Sequence, residues 1–536
     1  MLNGGVRLQP DQKPISPDRS RSAAAMAELF APLDLLLVGG GDPRLTVNPA
    51  NRVNMYGCQP YPCLETISFS SSTATSISRR AYGRAENARD GLMRSAISIG
   101  MEAAFDTRVE AMRDELRGCL GLSRAKADVV FSPSGTDSQL QALLLARALL
   151  GAAVTTVVVA ADQTGSGTAH TARGCHFSVS TANGSRVGKG EPIEGFDRAV
   201  ESISLPIFDK TGQALPPMAV DSLVLGTVER VINSGANVLL QVMDSSKFGW
   251  RAPSDQCLDE IGRRWPGRVQ VVVDACQMRL GRARLRNYFD RNYFVIVTGS
   301  KFFTGPPFSG ALLVPASRAR DIDAIAGVPA GLFEYFARSD WPQNWPNLRA
   351  QFPMRINFGQ WLRWEAALEE IGAYYGVPSE FRRDALTTFG NEVERALASS
   401  RSLRLLPPQQ RFADDAGDEE MSQRTIFSFV VERGNRILSL EACKALYHRL
   451  ARSDDSDAKP CLIGQPVALG GAENPYAALR ISAGARLVSE AFSPDAERSR
   501  QNLRRAIDDV KTVVEKIERL LEEMDSLDPA EVFHEA

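Results

Sequence analysis

Between residues 85 and 330, six short apolar runs rich in β-branched residues alternate with longer stretches of helical periodicity. The runs are residues 128–132, 155–161, 238–243, 269–274, 293–298 and 311–315, each bounded by Gly, Pro, Asp or Ser. Helical stretches such as 103–120 and 138–150 lie between them. A strand whose apolar residues do not alternate with polar ones is buried on both faces, and helical connections make successive strands parallel. The pattern predicts an α/β fold, a mostly parallel sheet flanked by helices. Ligands of such sheets lie beyond the carboxyl ends of the strands, so the residues at those ends are the ones to read for function.

The chain has 536 residues, more than one ordinary domain needs. The expected division is an N-terminal extension over 1–84, a large α/β domain over 85–375 and a smaller α+β domain over 376–536. In the last part a helical segment (381–399) and an acidic stretch (414–420) precede a strand-like run (425–431). A final amphipathic helix is predicted with Ser493 as N-cap and Pro494 in its first turn; Leu503, Ile507, Val510, Val514, Ile517 and Leu521 form its packing stripe. Lys+Arg 62 against Asp+Glu 64 gives no global basic field for nucleic acid. No apolar run approaches the length of a bilayer span, and residues 1–22 have no apolar segment of a secretory signal. Eight cysteines with no C-x-x-C pair fit reduced thiols in the cytoplasm, and four histidines leave little material for a metal centre, so no metal site is expected. Gly39-Gly40-Gly41-Asp42 is followed directly by Pro43 and lacks the later residues of either a dinucleotide fingerprint or a P-loop, so it reads as a turn.

The strand ends carry specific chemistry. The 269–274 run ends in Asp274-Ala275-Cys276-Gln277, and the next ends in Thr298-Gly299-Ser300-Lys301. A carboxylate and a lysine at neighbouring strand ends are what holds a pyridine aldehyde cofactor: the amine forms a Schiff base and the carboxylate keeps the ring nitrogen protonated. Upstream, Ser134-Gly135-Thr136-Asp137-Ser138 joins a strand to a helix and offers hydroxyls and N–H groups to a phosphate.

These motifs resemble, in order and over about residues 85–490, the fold-type I pyridoxal-5'-phosphate enzymes of the class V aminotransferase and cysteine desulfurase superfamily. The resemblance implies Lys301 as the Schiff-base lysine, Asp274 at the ring nitrogen and Gln277 near the phenolic oxygen. It implies Gly135, Thr136 and Thr298 at the phosphate, with Ser300 where the family commonly has His. Ser246, in Asp244-Ser245-Ser246-Lys247-Phe248-Gly249, takes the place of an Asn that contacts cofactor and substrate. The family's ring-stacking His is missing; Gln163 and Thr164 stand there. Arg480, in Leu479-Arg480-Ile481-Ser482, matches the arginine that binds the substrate carboxylate. Ile463 falls on the desulfurase nucleophile position, with Cys461 two residues away in Lys459-Pro460-Cys461-Leu462, read as a loop whose shift would bring the thiol into use.

The expected function is thus a cytoplasmic, homodimeric pyridoxal-phosphate enzyme acting on an amino acid or amine, most similar to an aminotransferase. The alternatives are a lyase or desulfurase, an enzyme of carbon–carbon bond formation or elimination, and a non-catalytic binding module on the same fold. A nicotinamide-dependent oxidoreductase would need a βαβ unit after Gly39–Gly41, where prolines stand instead. Segments 54–60 and 68–72, ahead of the sheet, are candidates to cover the site's mouth.

Overall fold

The computed structural model describes residues 24–196, 200–409, 421, 423–433, 436–452, 459–471, 475–524 and 533–535. The acidic stretch 414–420 lies outside the described residues. Each of the six apolar runs forms a strand within a residue or two of its expected place. They are β2 (Ala127–Ser132), β3 (Val154–Val159), β5 (Asn237–Met243), β6 (Val269–Asp274), β7 (Phe294–Thr298) and β8 (Gly310–Pro315). One further strand, β4 (Ser202–Leu205), pairs with β3 at the sheet edge. Its partly exposed residues carry a weaker hydrophobic signal than the central runs do.

The large sheet has the order β2-β8-β7-β6-β5-β3-β4, and β8 alone runs antiparallel to its neighbours. Val129, Val157, Leu240, Val272 and Leu312 are fully buried, as expected of strands covered on both faces. Helix Phe358–Tyr375 is buried around nearly its whole circumference and packs against helix Arg79–Ile99, which explains why it reads as apolar without a clean stripe.

A second sheet runs β1-β12-β13-β10-β11-β14, with β9 (Leu403–Leu405) paired to β10 (Ile426–Arg433). Its other strands are β1 (Ile67–Phe69), β11 (Arg436–Leu438), β12 (Cys461–Leu469), β13 (Tyr476–Ser482) and β14 (Phe533–Glu535). β1 comes from the N-terminal extension and pairs in parallel with β12, Ile67 opposite Cys461. Residues just after β1 are thereby fixed beside β12 and β13. The final helix begins at Ala496, not near Ser493. Asp495 accepts the Glu497 N–H at 2.9 Å, while the Ser493 N–H is taken by Ser499 Oγ at 2.8 Å. A carboxylate one residue before the helix outcompetes a serine three before it, because its acceptor faces the free first-turn N–H groups. Among the described residues no helix is long and apolar enough to cross a membrane.

Candidate active site

The carboxyl ends of β3, β5, β6 and β7 open side by side onto a cavity of about 330 Å³. That volume is at the lower end of the range for small-ligand sites, ~300–1,000 Å³. Asp274 ends β6, and its Oδ1 accepts the Cys276 N–H at 3.1 Å, which fixes the turn that follows. Thr298 ends β7; its hydroxyl donates to the Cys276 carbonyl at 2.6 Å and ties the two strand ends together. Ser300 and Lys301 follow. Their loop is held where Gly299 passes helix Phe358–Tyr375 so closely that a Cβ would lie 2.4 Å from Ala367 Cβ.

One wall is the start of helix Gly135–Leu150. Ser134 caps it in extended conformation and donates to Asp137 Oδ2 at 2.5 Å. Glycine is required at 135 because a Cβ there would lie 2.4 Å from Cys276 Sγ. Across β8, a Cβ on Gly310 would lie 2.3 Å from the Ser134 carbonyl carbon, so the loop crosses directly over that backbone. Burial raises the Asp137 carboxyl to about 7, with the Ser134 bond and Arg44 acting in the other direction. A carboxyl that is half neutral near pH 7 lessens the repulsion an anion would meet at this helix N-terminus.

Gly135, Thr136, Gln163, Thr164, Asp274, Gln277, Thr298, Ser300, Lys301 and Arg480 all line the cavity. Ser246 does not. Its hydroxyl accepts the N–H groups of Phe248 (3.1 Å) and Trp250 (3.2 Å), so it builds the turn while its neighbours Ser245 and Lys247 reach the cavity. Among the described residues Gln163 and Gln277 each leave a buried side-chain carbonyl without a partner, although Gln277 Nε2 donates to Ser72 O at 2.9 Å. A buried polar atom left unpaired costs roughly 1–3 kcal/mol, so both side chains are suited to a ligand that supplies donors.

Among the cavity residues that escaped the strand-end reading are Arg44, Tyr56, Thr73 and Lys247. Arg44 pairs with Asp42 at 2.5 Å and lies over the Phe308 ring at 4.6 Å. It also reaches Ser134 Oγ (3.4 Å) and Thr136 Oγ1 (3.5 Å). Burial lowers its pKa and Asp42 raises it, and the net direction is up. The glycine turn ahead of it is a turn, as its sequence suggests. Its carbonyls at Gly39 and Gly40 accept from the buried Arg363 at 2.6 and 3.1 Å. Gly40 has φ +60, and a Cβ there would strike Asn357.

Arg480 on β13 is buried, and among the described residues it donates only to neutral acceptors. These are Lys247 O (3.1 Å), Thr73 Oγ1 (3.0 Å) and Gln465 O (2.8 Å), and its Nε is unpartnered. Burial lowers it to about 10, which leaves it charged at neutral pH. The segments ahead of the sheet do reach the mouth, through Met55, Tyr56, Ser72 and Thr73.

Cys461 is not on a loop. It opens β12, is buried, donates to Lys459 O at 3.3 Å and lies outside the cavity lining, as does Ile463. The pairing of β1 with β12 is what turns this stretch into a strand. Cys276 does line the cavity, but burial and then Asp274 push its thiol well above the ordinary range. It is a neutral wall. Among the described residues no cluster of His, Cys, Asp and Glu is arranged to hold a metal ion.

No family model matches the chain, and no curated protein is similar to it in sequence. Solved structures are similar in fold. A structure of TDC from Oryza sativa, solved with PLP and tryptamine, superposes with a TM-score of 0.50 at 14% identity, covering 94% of this chain and 99% of that one. The cysteine desulfurase CsdA from Escherichia coli gives 0.48 at 14% identity over 85% and 95% of the two chains. A NifS-like protein from Rickettsia africae gives 0.47 at 10% identity over 85% and 99%. At such identities the likeness to the Oryza sativa structure shows one thing, a shared fold. The α/β fold expected from the strand pattern is the fold observed.

Proposed function

We propose that this chain is a pyridoxal-phosphate-dependent enzyme acting on an amino acid or amine, aminotransferase-like in class. The observation that carries the reading is the convergence of Lys301 and Asp274 on one cavity that is also lined by a serine-capped helix N-terminus. The residues present fit the cofactor. The wall offers hydroxyls, N–H groups and Arg44 to a phosphate, a carboxylate to a ring nitrogen and an amine to an aldehyde. Gln163 and Gln277 line the same cavity.

When bound, pyridoxal phosphate supplies an aldehyde that captures the substrate amine and a ring that accepts electrons from the neighbouring carbon. Asp274 holds positive charge at the ring nitrogen. With the cofactor bound, the Lys301 amine would be placed to take and return the proton at the substrate's alpha carbon. Arg480 orients the substrate carboxylate through its planar guanidinium. The buried, strand-bound Cys461 favours an aminotransferase-like reaction over a desulfurase, which needs a thiolate that reaches the substrate. The reading includes a cytoplasmic homodimer; the exposed Ile97 and Ile99, at the end of helix Arg79–Ile99, support an apolar contact between copies.

Purified protein supplied with pyridoxal phosphate is expected to absorb in the near-visible, and borohydride followed by peptide mapping is expected to place the reduced pyridoxyl group on Lys301. The group on Lys247 or any other lysine would overturn the assignment.

A further inference from the structure

The cavity wall carries four cations, Arg44, Lys247, Lys301 and Arg480, and one carboxylate, Asp274. Arg44 has its own counter-ion in Asp42, and Lys301 is assigned to the cofactor aldehyde. Two cations remain. Among the described residues no carboxylate lies within 4 Å of Lys247 or Arg480. The two are joined through the backbone, since Arg480 Nη1 donates to Lys247 O at 3.1 Å. The Lys247 backbone is fixed as well. Ser246 O accepts the Gly249 N–H at 2.9 Å, and Gly249 has φ +81, so the turn holds one shape. The Lys247 side chain lines the cavity.

Bringing two like charges into one partly desolvated wall is unfavourable unless a ligand compensates them. The groups around Lys247 show this strain. Burial, then Arg480, then Lys301 lower its pKa to about 8, and Asp162, beyond the end of β3, only partly offsets them. Asp162 is occupied by the N–H groups of Ile207 and Phe208. One carboxylate on Arg480 leaves Lys247 uncompensated.

We propose that the substrate is an amino acid with a second anionic group, a side-chain carboxylate or equivalent oxyanion, which Lys247 binds while Arg480 holds the alpha-carboxylate. The amine part of this rests on the function proposed above; the two-anion part rests on the cavity wall itself. Lys247 is then the residue that sets specificity.

The test is calorimetry on the protein supplied with pyridoxal phosphate. Succinate, glutarate and adipate are titrated against monocarboxylates of the same chain length. At least one dicarboxylate is expected to bind tenfold or more tighter than its monocarboxylate partner. Lys247→Met is expected to bring that ratio close to one, and Lys247→Arg to restore most of it. Equal binding of both series by the wild type, or an unchanged ratio in Lys247→Met, would overturn the proposal. Near-visible absorbance, read on the same samples, reports separately on the cofactor. Protein that takes up none of it yet prefers dicarboxylates through Lys247 would sink the proposed function and leave this inference standing.

Discussion

The two ends of the cavity treat positive charge in opposite ways. At the helix end, Arg44 is neutralised by Asp42 and stacked on Phe308, so its guanidinium is held in place before any ligand arrives. At the β13 end, Arg480 rests on carbonyls and a hydroxyl, and Lys247 has no carboxylate within ion-pair distance among the described residues. A paired cation contributes geometry and part of its field. An unpaired one in a partly buried wall keeps most of its field for the ligand, because little solvent or counter-charge screens it.

Removal of the Asp274 carboxylate gives the largest expected effect. Asp274→Asn keeps the shape but cannot hold charge at the ring nitrogen. Turnover should fall by about 10²–10³-fold, the usual loss when one preorganised electrostatic partner is removed. Cofactor binding, read by near-visible absorbance, should survive. Near-normal turnover would place the ring nitrogen elsewhere.

The contrast between the ends is tested by one substitution at each. Arg480→Lys keeps the charge and loses the fork. Charge-assisted hydrogen bonds are worth roughly 1.5–3 kcal/mol, so kcat/KM for amino acids should drop by about one to two decades, and amines without a carboxylate should lose little. Equal losses for both would make Arg480 structural. Arg44→Ala should act on the cofactor instead, weakening its Kd by about tenfold, the lower end of the same range, because Asp42 already offsets much of the field. Equilibrium dialysis against pyridoxal phosphate measures it. A loss for Arg44→Ala that exceeds that of Arg480→Lys would reverse the comparison.

The smallest effect is on stability. Asp137 has a folded pKa raised by burial to about 7, above its ordinary value of 3.8. Its contribution to stability is therefore fully present below about pH 4 and is lost as pH rises through about 7. Asp137→Asn removes this titration, so its Tm should decline less than that of wild type between pH 4 and 8, by about 2–4 °C. Parallel Tm–pH curves would show that Asp137 ionises normally in the folded chain.

The sequence alone determined six of the seven strands of the large sheet and which residues stand at their carboxyl ends. Apolar, β-branched runs need burial on both faces wherever they occur, and the carboxyl end of each run follows from chain direction, so Asp274, Thr298 and Lys301 could be named without any long-range information. The serine-capped loop at Gly135 was equally local. Only the tertiary structure decided the rest. Arg480 meets Thr73 across 407 positions of sequence, and Arg44 meets Thr136 across 92. The pairing of β1 with β12 turned Cys461 from a loop candidate into a buried strand residue. Ser246 and Lys247 are adjacent in one motif, and the direction of a single turn put the serine into the backbone and the lysine into the cavity. Local pattern fixes which residues stand at a strand end, whereas charge compensation depends on which distant segments the two sheets bring face to face.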